Sequence, residues 1–154
     1  MRIALGADSN GLDLKEVIKE HLEANGHDVV DYGVERDQDV DYPDIAEMVA
    51  RAVAAGDVDR AVLCCGTGLG MAIVANKVRG VRAAPVTDPY SAERAIKSND
   101  AKVLCLGGFV VGKSVAPMLV DHWVEGEFAG GDSSRKVAKI EALDEREASD
   151  RQRL

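Results

Sequence analysis

The run Arg60-Ala61-Val62-Leu63-Cys64-Cys65, followed at once by Gly66-Thr67-Gly68-Leu69-Gly70, constrains the fold of this chain more than any other segment. Apolar from Ala61 onward, it does not alternate with polar residues, so it reads as a strand covered on both faces by helices, the setting of a parallel sheet. The segments around it agree. Arg2 to Ala7 is a short apolar strand, and Leu12 to Ala24 follows with Leu12, Val17, Ile18 and Leu22 near one helical face, stopped by Asn25-Gly26. His27 to Tyr32 forms a second strand, and a helix opened by Pro43 and closed by Gly56 leads into the third, Arg60 to Cys65.

The helix after the glycine loop runs to about Lys77; a fourth strand spans Val81 to Val86 and a fourth helix Ser91 to Lys97. A fifth strand covers Lys102 to Leu106, and a fifth helix Val111 to Val124, with Pro117 an unfavourable interior residue. Strand and helix alternate throughout, which predicts an α/β fold: a Rossmann-like three-layer sandwich around a five-stranded parallel sheet. Gly130-Gly131 then sets off a charged helix, Ser133 to Glu147, whose narrow stripe of Val137, Ile140 and Leu143 is expected to dock on a neighbour. The chain thus reads as one domain over residues 1–154 with a projecting C-terminal helix at 132–148, packed on a partner subunit, and a frayed tail at 150–154.

A formal net charge of −8 argues against a general nucleic-acid binder, because phosphate backbones are held by clustered Lys and Arg. It does not argue against a small anionic ligand, since salt confines each field to about a nanometre. No stretch approaches the roughly 20 apolar residues of a membrane span, and Met1 to Gly6 lacks a secretory apolar region, so a cytoplasmic protein is expected. The cysteines, Cys64, Cys65 and Cys105, are odd in number and lie in apolar runs, which predicts reduced thiols. His21, His27 and His122 have no partner at ligand spacing, and no metal is expected.

In open α/β sheets ligands bind beyond the carboxyl ends of the strands. Here those ends carry Asp8-Ser9-Asn10-Gly11, Cys65 to Gly70, Thr87-Asp88 and Gly107-Gly108, with Asp41-Tyr42-Pro43 nearby. The alternating glycines let the backbone present several N–H groups to an oxygen that gains negative charge. Cys65 stands before them, near a helix N-terminus, where its thiolate is favoured. A base beside an oxyanion cradle suits proton abstraction next to a carbonyl. Strand alternation should turn Cys64 the other way, into the core. Met71 stands where a dinucleotide fingerprint needs its third glycine, and where a cysteine-based phosphatase needs an arginine, so both are disfavoured.

The residues Gly6-Ala7-Asp8, Asp41-Tyr42-Pro43, Cys65-Gly66-Thr67-Gly68-Leu69-Gly70, Ala75-Asn76-Lys77, Asp88-Pro89-Tyr90-Ser91-Ala92 and Asn99-Asp100, in this order, closely resemble the ribose-5-phosphate isomerase B family, which includes galactose-6-phosphate and tetrulose-phosphate isomerases. The resemblance implies an aldose–ketose isomerase of a small phosphorylated sugar that uses no cofactor. Cys65 would move a proton between C1 and C2 through a cis-enediolate, amides from Gly66, Gly68 and Gly70 would steady it, and Thr67 would assist ring opening. Asp8 and Asn99 would hold hydroxyls, and Tyr42 would lie against the sugar. It also implies a dimer or tetramer with shared sites.

This chain has Ser9 and Ser98 where many members have histidines for phosphate binding and ring opening, which points to an already open substrate such as a four-carbon keto sugar phosphate. At positions where the family often has arginines it has Phe109, Asp132 and Lys136; only Lys136, helped by Arg135, keeps a cation there. Two other functions fit these departures: an isomerase or epimerase of a sugar without phosphate, and a binding or regulatory protein that has lost turnover.

Overall fold

The computed structural model describes residues 1–35 and 38–151, with nothing said of the Arg151 side chain. Eleven elements follow one another: β1 (Arg2–Ala7), α1 (Leu12–Ala24), β2 (Asp28–Asp31), α2 (Tyr42–Ala55), β3 (Arg60–Cys65), α3 (Leu69–Ala75), β4 (Ala83–Pro85), α4 (Pro89–Asn99), β5 (Val103–Gly107), α5 (Ala116–Val124) and α6 (Asp132–Arg151). The strands form one all-parallel sheet in the order β2-β1-β3-β5-β4. The chain leaves β1 toward β2 on one side and returns to β3 on the other, so the carboxyl ends of β1 and β3 flank the switch point where such sheets bind ligands.

Side chains alternate across the sheet with the period of two that strands impose. Ile3, Leu5, Ala7, Val62, Cys64, Leu104 and Leu106 join α1, α4 and α5 in one buried layer. Ala4, Ala61, Leu63, Cys65, Val103 and Cys105 join α2 and α3 in the other. Trp123 fills the first layer, donating its Nε1–H to the Ala101 carbonyl at 2.8 Å, while the Arg60 guanidinium, stacked on its ring, caps the carbonyls of Trp123 and Gly126 at 2.7 Å. A cation at a helix carboxyl end satisfies carbonyls that the helix itself leaves unpaired.

Most boundaries fall within two residues of the sequence expectation, and the informative differences are at α5, β4 and α6. α5 begins at Ala116 rather than Val111, which places Pro117 in the first turn, where its missing N–H costs nothing. Residues 107–115 form a tight connection instead, in which Val111 N–H donates to Gly107 O at 2.8 Å. β4 spans Ala83–Pro85 rather than Val81 to Val86, since Val81 N–H turns back to Val78 O. α6 is longer than expected, Asp132–Arg151, taking in Asp150; of the predicted tail, 152–154 lie outside the described residues. Val137 of α6 is buried within this chain, and Glu141, Asp144 and Glu145 pair with Arg82, the Gly80 amide and Arg79. Ile140 and Leu143 stay exposed. Among the described residues, no helix is long and apolar enough to cross a membrane.

Candidate active site

At the switch point, β1 and β3 are in register from Ile3↔Arg60 to Ala7↔Cys64, and the Asp8 N–H donates to Cys64 O at 3.3 Å. Asp8 and Cys65 are therefore delivered side by side. The Asp8 Oδ1 accepts the N–H groups of Asn10 and Gly11, both at 3.0 Å, which turns the chain into α1. This is the turn-forming role open to any Asp before a helix. The same side chain, 8% exposed, also lines the cleft. Gly11 is required by contact: a Cβ there would lie 2.3 Å from the Cys64 carbonyl.

The glycine loop is shaped by β5. The Gly108 N–H donates to Cys65 O at 2.7 Å and the Phe109 N–H to Gly66 O at 3.0 Å, so the two loops run locked together. Gly68 adopts φ +78°, a region that favours glycine, and its Cα faces the backbone of Leu106. In this conformation the Gly68 N–H points back at the Cys65 sulfur, 3.1 Å away. The resemblance implies that the Gly68 amide steadies the enediolate; here it is turned on the thiol, and the Leu69 N–H is held by Thr67 Oγ1 at 3.3 Å.

The resulting cleft, about 300 Å³, is lined by Asp8, Asn10, Tyr42, Cys65, Gly66, Thr67, Gly70 and Phe109. Cys65 is 5% exposed at its floor. Tyr42, the first residue of α2, lies across Gly70, where a Cβ would come within 2.6 Å of the ring. The Phe109 ring lies on Gly66 in the same manner, 2.9 Å from a Cβ placed there. Two aromatic side chains thus wall the cleft over the glycine loop.

The neighbouring thiols differ. Burial, with the nearby Cys65, pushes the Cys64 thiol far above its ordinary range, and burial does the same to Cys105. Both stay protonated and inert. As alternation required, Cys64 belongs to the core layer opposite the cleft. Met71 is fully buried beneath the loop, a core residue rather than a ligand contact.

The structure divides the remaining sequence-derived candidates. Ser9 lies beside the cleft, in a separate hollow with Asn10, Phe109 and Lys113. Ser98 and Asn99 end α4 at the amino side of the sheet, where Arg82 donates to Asn99 O at 2.9 Å. Arg135 and Lys136 are exposed on α6, reached through Ala129, whose N–H donates to Lys97 O at 3.0 Å. Cys65 pairs with Gly107 at the carboxyl ends of β3 and β5, whereas Ala61 pairs with Val103 at their amino ends. Those ends are separated by on the order of 13 Å of strand. One chain therefore does not bring Ser98, Asn99, Arg135 and Lys136 to the thiol. Sequence reasoning placed Asn10 at a strand end and Phe109 at a usual arginine position but assigned neither as a substrate contact, and both line the cleft. Their signal was position: each lies within three residues of a strand's carboxyl end.

A family model described as Ribose/Galactose Isomerase matches residues 3–140. The chain is 46% identical to a ribose-5-P isomerase B of Listeria innocua over 146 residues, 95% of this chain and 99% of that one. It is 47% identical to a D-erythrulose-4-phosphate isomerase of Pectobacterium atrosepticum, covering 91% of this chain and 93% of the other. The solved structure of Clostridium thermocellum ribose-5-phosphate isomerase B superposes with a TM-score of 0.92 at 43% identity, covering 95% of this chain and 99% of that one.

Proposed function

Because this chain belongs to the ribose/galactose isomerase family, we propose that it is an aldose–ketose isomerase of a small phosphorylated sugar, with Cys65 as the carbon base. The observation that carries the reading is the Cys65 sulfur at the floor of the cleft with the Gly68 N–H aimed at it from 3.1 Å. An amide so placed holds the sulfur at the cleft floor, where it can take a proton from carbon. The thiolate removes the proton from C2 of the open aldose while the hydroxyl proton on O2 passes to O1. The cis-enediolate then takes the proton back at C1 and becomes the ketose. Amides of Gly66 and Gly70 face the developing oxyanion, Thr67 at the rim assists ring opening, Asp8 holds a hydroxyl, and Tyr42 covers the sugar. The steps are proton transfers and need no cofactor.

Ser98, Asn99, Arg135 and Lys136 reach this cleft only from a second copy of the chain, so the working unit is a homo-oligomer with shared sites. The exposed Leu69 and Ile73 of α3, together with Ile140 and Leu143 of α6, provide apolar surface for it. The three free cysteines and the need for a reduced thiol fit the cytoplasm.

Ribose 5-phosphate and erythrulose 4-phosphate are the first substrates to try. Phe109 and Asp132 also leave open an isomerase or epimerase of a sugar without phosphate, and Ser98 a binding protein without turnover. Four- to six-carbon sugars, with and without phosphate, incubated in deuterated water separate the three. Loss of the C1 or C2 proton signal only with phosphates supports the isomerase reading. Exchange only with free sugars, or binding without exchange, overturns it.

A further inference from the structure

A phosphorylated sugar has two ends, and the Cys65 cleft accounts for only one. Its lining contains a carboxylate, amides, hydroxyls and two aromatic rings but, among the described residues, no cation. In a chain of net charge −8, a phosphate needs a local one. Beside the cleft lies a second hollow of about 260 Å³, lined by Ser9, Asn10, Asp13, Leu14, Gly108, Phe109 and Lys113. Asn10 and Phe109 belong to both hollows and form the ridge between them. The ridge is rigid: Asn10 N–H is held by Asp8 Oδ1 at 3.0 Å, Phe109 N–H by Gly66 O at 3.0 Å, and a Cβ on Gly108 would lie 2.5 Å from Asn10 O.

Resting on the isomerase reading above, we infer that Lys113 binds the terminal phosphate of the substrate from the same chain that carries Cys65. The sugar crosses the ridge between Asn10 and Phe109, its phosphate lying in the second hollow with Ser9. Lys113 sits near the end of the connection into α5 and is paired to Asp13 by a long contact, 3.4 Å, between groups that are both more than half exposed. A phosphate that meets the ammonium at closer range gains a stronger, charge-assisted hydrogen bond. The flexible stem of lysine lets it turn from Asp13 to the ligand without backbone movement. Lys136 and Arg135 of a partner would then add to a cation already present, and the phosphate end would not depend on oligomerisation alone.

The test uses inorganic phosphate as probe, by titration calorimetry on wild type, Lys113→Met and Lys113→Arg, and the KM for erythrulose 4-phosphate and ribose 5-phosphate. Loss of the contact should weaken phosphate binding and raise KM about tenfold, with kcat held within about twofold. Lys113→Arg should recover most of both, because the cation returns. An unchanged phosphate affinity in Lys113→Met, or no phosphate binding by wild type, overturns the inference. If wild type binds phosphate but exchanges no sugar proton, the isomerase reading fails while the titration still decides the role of Lys113. Since this side chain is exposed, both variants should fold.

Discussion

The Gly68 N–H donates to the Cys65 sulfur at 3.1 Å, and it does so because Gly68 holds φ +78°. The glycine's backbone freedom and the thiol's chemistry are thereby linked. In Gly68→Ala the new Cβ would meet the Leu106 carbonyl carbon at 3.0 Å in a conformation that L side chains avoid. Strain of about 1–2 kcal/mol is expected. Thermal unfolding should show that loss, and sugar proton exchange should slow as the sulfur loses the amide that holds it. An unaltered exchange rate in a folded variant would separate the loop from the base.

Cys64 and Cys65 are neighbours in sequence and opposites in environment. Iodoacetamide at neutral pH should label Cys65 alone in the native protein, read by peptide mass spectrometry, since burial keeps the thiols of Cys64 and Cys105 protonated and out of reach. Cys65→Ala should abolish proton exchange with the fold intact, whereas Cys64→Ala should cost about 1 kcal/mol of stability and keep activity. Native labelling of Cys64 in preference to Cys65 would contradict the assignment of sides.

Gly70 lies in the first turn of α3, where alanine is normally the better helix former. Its Cβ would nevertheless come within 2.6 Å of the Tyr42 ring. Gly70→Ala should therefore leave stability nearly unchanged while displacing Tyr42 and raising KM several-fold. Tyr42→Ala should reproduce that KM. Equal KM values in wild type and both variants would mean that the ring does not cover the substrate.

Lys15, 2% exposed, donates from Nζ to both Asp31 oxygens at 2.8 Å, and Gly33 N–H donates to Oδ1 at 2.8 Å. Burial works to raise the Asp31 carboxyl, but the hydrogen bonds from Lys15, Gly33 and Lys19 outweigh it and hold the group below its usual value. A depressed carboxylate adds stability that is present above its unfolded pKa, about 3.9, and is lost as pH falls through the lower folded value. The native state should therefore lose stability more steeply below about pH 4 in wild type than in Asp31→Asn. At neutral pH that variant should be less stable by about 2–3 kcal/mol, because Lys15 keeps its charge with one partner fewer. Denaturant titrations at several pH values measure both; parallel curves would exclude the coupling.

Cys65 and Asn99 lie at opposite ends of the sheet, so the proposed shared site would take one from each subunit. Mixing dissociated Cys65→Ala and Asn99→Ala proteins and allowing reassembly should return about a quarter of wild-type activity, since half the dimers are mixed and each mixed dimer holds one intact site. No recovery, with mixed dimers shown by native mass spectrometry, would mean that the two residues do not meet across an interface.

The layer order, the parallel sheet and the opposed directions of Cys64 and Cys65 were legible in the chain because each depends on periodicity or on a short-range signal. An apolar run without alternation demands cover on both faces, and neighbouring strand residues must face apart. The positions of Asp8, Cys65 and Thr67 at strand ends followed from the same logic. The start of α5 was harder to read, since the apolar residues from Val111 to Val115 continue a helical pattern that the fold uses instead to tie the connection back to Gly107.

What only the tertiary structure decided is which strand ends meet. Nothing local to Asn10, Phe109 or Lys113 announces a shared hollow; they come together because β1, β3 and β5 lie adjacent in the sheet. Nor does local pattern reveal that Ser98 and Asn99 end their helix on the far side from Cys65. A residue's period sets the face it occupies, whereas its distance from another element depends on strand order and register, which are properties of the whole folded chain.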